Sequence, residues 1–273
     1  MEALRHVDDW PVGAAAVGVT RARETVAATG DGGAAFPWAS VTKLPTALAV
    51  LVAAEEGVVD LDGAAGPPGS TIRHLLAHAS GLPLEAGPPI AKPGTRRIYS
   101  NAGFEALAET VDAAAEMPFG DYLHEAVLAP LGLGASLEGS PASGISGSLD
   151  DLLALGRELL EPTLVAEETI AEATEVQFPG LVGVLPGYGR MEPNDWGLGF
   201  ELRDAKRAHW TGERNSPRTF GHFGQSGSFL WVDPDTGVAC ACLTDTRFGD
   251  WAKDAWPRLA DDVLAELATH ADG

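Results

Sequence analysis

The chain has 273 residues, of which 45% are hydrophobic and 21% are charged, as in a globular protein large enough to bury a substantial core. Its 39 acidic residues against 18 basic ones give a formal net charge of −21. Such a surface repels phosphate backbones and anionic lipids, so we expect neither a nucleic acid nor a membrane as a partner. An acid-rich surface with four lysines fits either a high-salt cell or a biased base composition.

No targeting or membrane segment is visible in the sequence. Residues 1–10 lack the apolar core of a signal peptide, and the longest apolar run, 44–54, is too short to cross a membrane. We therefore expect a cytoplasmic protein.

Cys240 and Cys242 would share one face of a strand, where both are expected to be small buried side chains. No cofactor or metal is expected, and the sequence does not indicate an oligomeric state.

The predicted elements begin with two short strands, 12–20 and 24–29, and continue with an apolar helix over 43–56 that stops at Gly57. Helical segments then follow at 71–78, 102–116, 119–129, 148–160 and 166–176. Strands return at 197–203, 219–223, 229–233 and 238–244, and a helix over 251–268 closes the chain.

This order of elements predicts an α+β fold, an antiparallel β-sheet flanked by helices with an inserted all-α lobe. The simplest arrangement pairs the early strands with the late ones. Residues 1–60 plus 190–273 would form the sheet domain, and 61–189 the inserted helical domain of the same structural unit.

Ser40 and Lys43 stand at the start of the apolar helix. Residues three apart lie on one helix face, so the amine of Lys43 can reach the Ser40 hydroxyl. Burial lowers the pKa of a lysine, which then can act as the base that a serine nucleophile requires. The alternative is an N-cap serine followed by a lysine that reaches to solvent, but an all-apolar helix leaves such a lysine little solvent to reach.

Further motifs accompany this pair in chain order. They are Thr71 to Pro83, Tyr99-Ser100-Asn101, Pro130-Leu131-Gly132, Gly144 to Asp151 and His222-Phe223-Gly224. With these motifs the chain resembles the serine β-lactamase-like superfamily, which includes class C β-lactamases, DD-peptidases and family VIII-type esterases. The resemblance extends from about residue 11 to the C-terminal helix and implies the β-lactamase/transpeptidase-like fold.

The resemblance also implies roles for the matching residues. Ser40 would be acylated, and Lys43 and Tyr99 would take its proton and later help to activate water, with the formal base left open. Asn101, His222 and Gly224 would bind substrate, and the backbone N–H groups of Ser40 and Gln225 would form the oxyanion hole.

The third motif departs from the Lys-Thr-Gly or His-Thr-Gly of many relatives, because Phe223 replaces the hydroxyl that would contact a substrate carboxylate. This change and the acidic chain argue against an anionic β-lactam, although Arg96, Arg97 and Arg218 could make the cleft locally positive. No Glu-x-x-x-Asn stretch of the class A type is present.

Three functions therefore remain open. The favoured one is a hydrolase that cleaves a small ester or amide through an acyl-Ser40 intermediate. The second is a true β-lactamase or D-Ala-D-Ala carboxypeptidase, and the third is a non-catalytic binding protein on this fold.

His74 and His78 have metal-ligand spacing but no accompanying Glu or third ligand, and are interpreted as structural. There is no G-x-S-x-G elbow and no nucleotide-binding glycine motif.

Overall fold

The computed structural model describes residues 1–271 and has the α+β architecture that the sequence predicts. The helices are α1 Lys43–Glu55, α2 Ile72–Leu76, α3 Asn101–Ala115, α4 Phe119–Leu123, α5 Leu149–Leu160, α6 Glu167–Ala173 and α7 Asp250–Ala271. The strands are β1 Ala15–Thr20, β2 Thr25–Thr29, β3 Phe36–Pro37, β4 Ser136–Leu137, β5 Ile145–Gly147, β6 Gly183–Leu185, β7 Gly189–Met191, β8 Glu201–Leu202, β9 Phe220–Gly224, β10 Ser228–Asp233 and β11 Val238–Thr244.

In the described part of the chain the main sheet has six antiparallel strands in the order β2-β1-β11-β10-β9-β8. Early and late strands therefore pair, as predicted, through the register Val17↔Cys242 between β1 and β11. Strand β8 is shorter than the predicted 197–203 and pairs only with Gly221 and Phe220 of β9. The end of β9 from His222 onward is consequently not covered by β8.

Alternate side chains of the sheet enter two different hydrophobic clusters. Ala16, Leu230 and Ala241 pack with α1, α3 and α5 on one face. Val17, Trp231 and both cysteines pack with α7 and the N-terminal 3₁₀ helix Glu2–Asp9 on the other face. Cys240 and Cys242 are buried and unbridged, which confirms the prediction for them.

Helix α1 lies at the centre of the first cluster, and all its residues from Lys43 to Ala53 are buried. It is therefore hydrophobic on every side, as its sequence indicates. The left-handed Gly57 (φ +73°) follows its C-terminus, where a side chain would be strained. Helix α5 starts with a capping box between Ser148 and Asp151.

The domain limits, 1–60 plus 190–273 and 61–189, stay a prediction. Helix α5 lies within the second range, yet it packs directly against β1, β10 and β11. The predicted helix 119–129 consists of α4 and a π-helical turn, His124–Leu128. Among the described helices, none is long and apolar enough to span a membrane.

Candidate active site

Ser40 lies in the 3₁₀ turn Ala39–Thr42 that leads into α1. Ala39 has φ +45°, in the left-handed region that an alanine rarely adopts. The turn is held from two sides, because the backbone N–H of Trp38 donates to Ile145 O (2.9 Å) and the Ser228 hydroxyl donates to Trp38 O (2.8 Å). These contacts fix the backbone that presents Ser40.

The end of strand β9 lies against this same turn at Gly224. A Cβ on Gly224 would come within 2.4 Å of Trp38 O and of the Ser228 hydroxyl, and within 3.1 Å of the Ala39 side chain. Only glycine permits so close an approach, which brings Gln225 to the cavity that Ser40 also lines.

Lys43 is fully buried, and its amine has two hydrogen-bond acceptors. Nζ lies 2.8 Å from Oδ1 of Asn101 and 2.9 Å from the backbone oxygen of Ala142. Burial lowers the pKa of Lys43 to about 7, although the carboxylates of Glu85 and Glu105 act in the opposite direction. The amine is also 4.8 Å from the centre of the Tyr99 ring.

The phenol of Tyr99 lies between Ser40 and His222. Its pKa is raised by burial, and a hydrogen bond with Ser40 opposes that rise. His222 Nδ1 donates to Phe223 O at 2.7 Å, so Nε2 is the unprotonated nitrogen and can accept from the Tyr99 hydroxyl at 3.4 Å. Burial, with the charge of Lys43, lowers the pKa of His222 to about 3. Neutral Tyr99 and neutral His222 are therefore the expected forms at pH 7.

Glu85 is a site residue that motif analysis missed. Its Oε1 accepts a hydrogen bond of 2.9 Å from Nδ2 of Asn101, whose Oδ1 accepts from Lys43. The Asn101 amide is thus fixed in one orientation between an amine and a carboxylate. Glu85 follows directly on the Thr71–Pro83 motif after Leu84, so its position in the chain was the available signal.

Around Ser40 these groups enclose a cavity of about 230 Å³. Its lining consists of Ser40, Leu84, Glu85, Tyr99, Asn101, Leu185, Pro186, Trp196, Glu201, His222, Phe223 and Gln225. The structure therefore brings together all the predicted site residues with a side chain except Lys43, which lies directly behind Asn101. The charged residues in this lining are both glutamates, and Glu201 is already paired with Lys206 and His209.

His78 and Trp196 support the Tyr99 ring from behind. The ring of His78 lies 4.7 Å from that of Tyr99 and 4.6 Å from that of Trp196. Nδ1 of His78 accepts a 3.1 Å hydrogen bond from the backbone N–H of Ser100. His74 instead bonds Thr71 (2.9 Å) and packs on Phe178. Both histidines thus make structural contacts, as interpreted from sequence, and the described residues contain no candidate metal cluster.

The prediction that Arg97 and Arg218 could make the cleft locally positive was wrong. The buried guanidinium of Arg97 donates instead to backbone oxygens, including those of Ala77 and Asn194. Arg218 is exposed and pairs with Asp235. Phe223 lines the cavity but also packs against Phe248 at a ring separation of 4.9 Å. The position of the missing hydroxyl is thus filled by an apolar side chain.

The chain is similar to known proteins in sequence and in fold. A family model described as Beta-lactamase matches residues 6–137 and 134–265. A beta-lactamase crystal structure from Mycobacterium bovis is 54% identical with a TM-score of 0.96, and the alignment covers 97% of this chain and 99% of that one. A mutant simvastatin synthase from Aspergillus terreus shares the fold at 17% identity, with a TM-score of 0.80 and coverage of 98% and 96%.

A penicillin-binding protein of Bacillus subtilis (strain 168) is 28% identical over an alignment of 131 positions, which covers 36% of this chain and 29% of that protein. The match to this curated relative therefore spans less than a third of its length. The family model, in contrast, spans most of the present chain. Taken with the antiparallel sheet and the helices packed on it, this match establishes that the chain belongs to the beta-lactamase family.

Proposed function

We propose that this protein is a serine hydrolase that forms an acyl-enzyme on Ser40 and hydrolyses a small ester or amide. The observation that carries the proposal is the environment of Lys43, a buried amine with its pKa lowered to about 7. An ordinary surface lysine stays protonated at that pH and cannot accept a proton. A lysine tuned in this way suits general-base activation of a neighbouring serine.

The hydrogen bonds of Lys43 favour it as the base. A neutral amine has two N–H groups and one lone pair. Asn101 and Ala142 accept the two N–H groups, so the lone pair stays unused by these two bonds. Its proposed role is to take the proton of Ser40, whose hydroxyl is hydrogen-bonded to Tyr99. The raised pKa of Tyr99 keeps its phenol protonated, so its proposed role is to donate a proton to the leaving group. The proton that Lys43 takes from Ser40 then passes to the Tyr99 phenolate, so both groups are neutral again before the second half-reaction. There Lys43 would take a proton from the water that attacks the carbonyl carbon of acyl-Ser40, and Tyr99 would give a proton to the departing Ser40 oxygen.

The proposed oxyanion hole consists of the backbone N–H groups of Ser40 and Gln225. Both residues line the cavity, and the close contact at Gly224 holds the two segments together. Loss of one such donor typically costs about 3 kcal/mol of transition-state stabilisation. Asn101, His222 and Gly224 are proposed as the residues that bind the substrate beside the scissile bond.

The charge of the cavity supports an uncharged substrate. Glu85 places a carboxylate in the lining, whereas Arg96 lines a neighbouring groove and not this cavity. Penicillins, cephalosporins and peptides ending in D-alanine all carry a carboxylate, which Glu85 would repel. The apolar Phe223 ring provides no hydroxyl to bind such a group. A neutral ester or amide is not repelled by Glu85 and does not need a hydroxyl at position 223.

A second candidate is a β-lactamase, which the 54% identical structure described as a beta-lactamase favours. The two candidates share the acyl-Ser40 chemistry and differ in the substrate. A non-catalytic binding protein is the third outcome, and it would leave Ser40 unreactive.

The test compares the wild type with Ser40→Ala on a p-nitrophenyl ester and a chromogenic cephalosporin. We expect ester turnover in the wild type and a loss of about a thousandfold or more in Ser40→Ala, with an unchanged melting temperature. Mass spectrometry should detect one fluorophosphonate on Ser40 and none on Ser40→Ala. Cephalosporin turnover without ester hydrolysis would favour the second candidate. An unlabelled wild-type protein would contradict both enzymatic proposals.

A further inference from the structure

Large apolar side chains are concentrated on the surface just outside the Ser40 cavity. Among the described residues, the exposed large hydrophobic side chains are Leu84 (49%), Ile90 (65%), Val176 (38%) and Val184 (58%). Leu84, Ile90 and Val184 line one groove of about 450 Å³. Exposed apolar side chains gathered in one place indicate a surface that binds something apolar.

We call this surface the outer groove, and define it by its lining residues. They are Leu84, Ile90, Arg96, Arg97, Ile98, Tyr99, Gly183, Val184 and Pro186. Three of them, Leu84, Tyr99 and Pro186, also line the Ser40 cavity, so the two spaces are neighbours with a shared wall.

One wall of the outer groove is anchored at the start of α3. The backbone N–H groups of Asn101 and Ala102 donate to Leu84 O at 2.8 and 3.2 Å. The Ser100 hydroxyl donates to Pro83 O at 2.6 Å. The loop that carries Ile90 is closed at its base by a 2.9 Å bond from Ile90 N to Gly81 O. Hydrogen bonds therefore hold the backbone of the segments that carry Leu84 and Ile90.

The opposite wall is the hairpin of β6 and β7, which is anchored to the same segment of chain. The backbone N–H of Arg97 donates to Val182 O at 3.0 Å, and Arg97 forms a parallel bridge with Gly183. A Cβ on Gly183 would lie 2.3 Å from Arg97 O, so this contact requires glycine. Both walls are thus attached to residues 97–102, which also carry Tyr99 and Asn101.

We propose that the outer groove binds an extended apolar arm of the substrate while its scissile bond lies at Ser40. The substrate class is then an ester or amide with an alkyl or aryl chain on one side of the reacting carbonyl. This inference rests on the proposed function and narrows it. A substrate of this kind would cover the exposed surfaces of Leu84, Ile90 and Val184 when it binds.

The test uses two series of esters, p-nitrophenyl esters from acetate to octanoate and alkyl acetates of the same lengths. In one of the two series, kcat/KM should rise about twofold for each added methylene. This rise corresponds to half of the free energy that complete burial of a methylene contributes. The series that responds identifies the arm as acyl chain or alcohol. In the double variant Ile90→Ser/Val184→Ser, we expect the rise per methylene to fall to about 1.3-fold.

Val176→Ser is the matched control, because Val176 is exposed and apolar but lies outside both cavities. It should keep the wild-type length dependence. If both series are cleaved with no length dependence, or if Val176→Ser flattens it as much as the double variant, the inference fails while the hydrolase proposal stands.

A measurement without turnover separates the two proposals. Calorimetry of the same esters with Ser40→Ala should give dissociation constants that fall with chain length, and less steeply after Ile90→Ser/Val184→Ser is added. If the wild type hydrolyses none of the esters but Ser40→Ala binds them with this dependence on chain length, the hydrolase proposal is contradicted and binding in the outer groove is supported. Equal affinities along the series would contradict the groove.

Discussion

The protonation of Lys43 should set the pH dependence of the reaction. Its pKa of about 7 means that the protonated form, which cannot act as a base, dominates below pH 7. We expect kcat/KM for a neutral ester to rise about tenfold per pH unit below 7 and to level off above it. His222, with a pKa of about 3, does not titrate between pH 5 and 9 and therefore cannot cause the midpoint of the kcat/KM profile. A pH-stat assay from pH 5 to 9 measures the profile.

Lys43→Met provides the control, because methionine fills the buried site without an amine. Its activity should fall about a thousandfold or more at every pH, with a melting temperature close to the wild type. A flat wild-type profile from pH 5 to 9 would contradict the role of Lys43 as base.

Sequence motifs predicted Ser40, Lys43 and Tyr99 because their spacing is tied to a known chemistry. They did not predict the contribution of Glu85, which depends on the amide orientation of Asn101, or the support of Tyr99 by His78. Arg97 was misassigned for the same reason. Its partners are backbone carbonyls of distant segments, and a carbonyl has no signature in sequence.

At the scale of elements, strand β9 packs so closely against the turn before Ser40 that position 224 has no room for a side chain. In Gly224→Ala, the added Cβ would overlap Trp38 O and the Ser228 hydroxyl and push the strand away from Ser40. We expect a stability loss of about 1–3 kcal/mol in urea unfolding. Displacement of the Gln225 N–H should lower kcat about a hundredfold.

Gly120→Ala is the matched glycine control. A Cβ on Gly120, inside helix α4, would meet no atom within 4 Å. This variant should keep full activity and gain about 0.5–1 kcal/mol from the higher helix propensity of alanine. Wild-type kinetics in Gly224→Ala would show that the close approach is unnecessary for the chemistry.

The elements that sequence predicted well are those with strong local patterns. Strands β1, β2, β9, β10 and β11 and helices α1, α3, α5 and α7 lie within a few residues of the predicted ranges. The N-terminal 3₁₀ helix Glu2–Asp9 was missed because it depends on α7, with His6 bonded to Asp262 at 2.6 Å. The β6–β7 hairpin was missed because its strands are three residues long.

At the scale of the whole molecule, three buried histidines should make the fold sensitive to acid. Burial lowers the pKa of His78, His209 and His222, whereas the pKa of an unfolded histidine is about 6.5. Below that pH the unfolded state binds more protons, so the free energy of unfolding falls as the pH falls. Each histidine contributes up to about 1.4 kcal/mol per pH unit. For His222 the loss continues down to its folded pKa of about 3.

Urea unfolding at pH 7.0, 6.0 and 5.0 measures this dependence. Below about pH 6, Lys43 is protonated in both states and adds no slope, because its folded pKa is about 7. Below about pH 6, His222→Gln should reduce the slope by about 1.4 kcal/mol per pH unit. An unfolding free energy that stays constant from pH 6.0 to 5.0 would refute the prediction.

The buried guanidinium of Arg97 has a consequence for how this protein can evolve. It binds the backbone oxygens of Ala77, Gln177, Phe178 and Asn194, and those oxygens remain whatever side chains mutation places there. Those four positions can therefore vary in sequence without removing the acceptors that Arg97 needs. The hydrogen bonds that hold Arg97, and with it the segment that carries Tyr99, are thus less sensitive to substitution than bonds to side-chain acceptors would be.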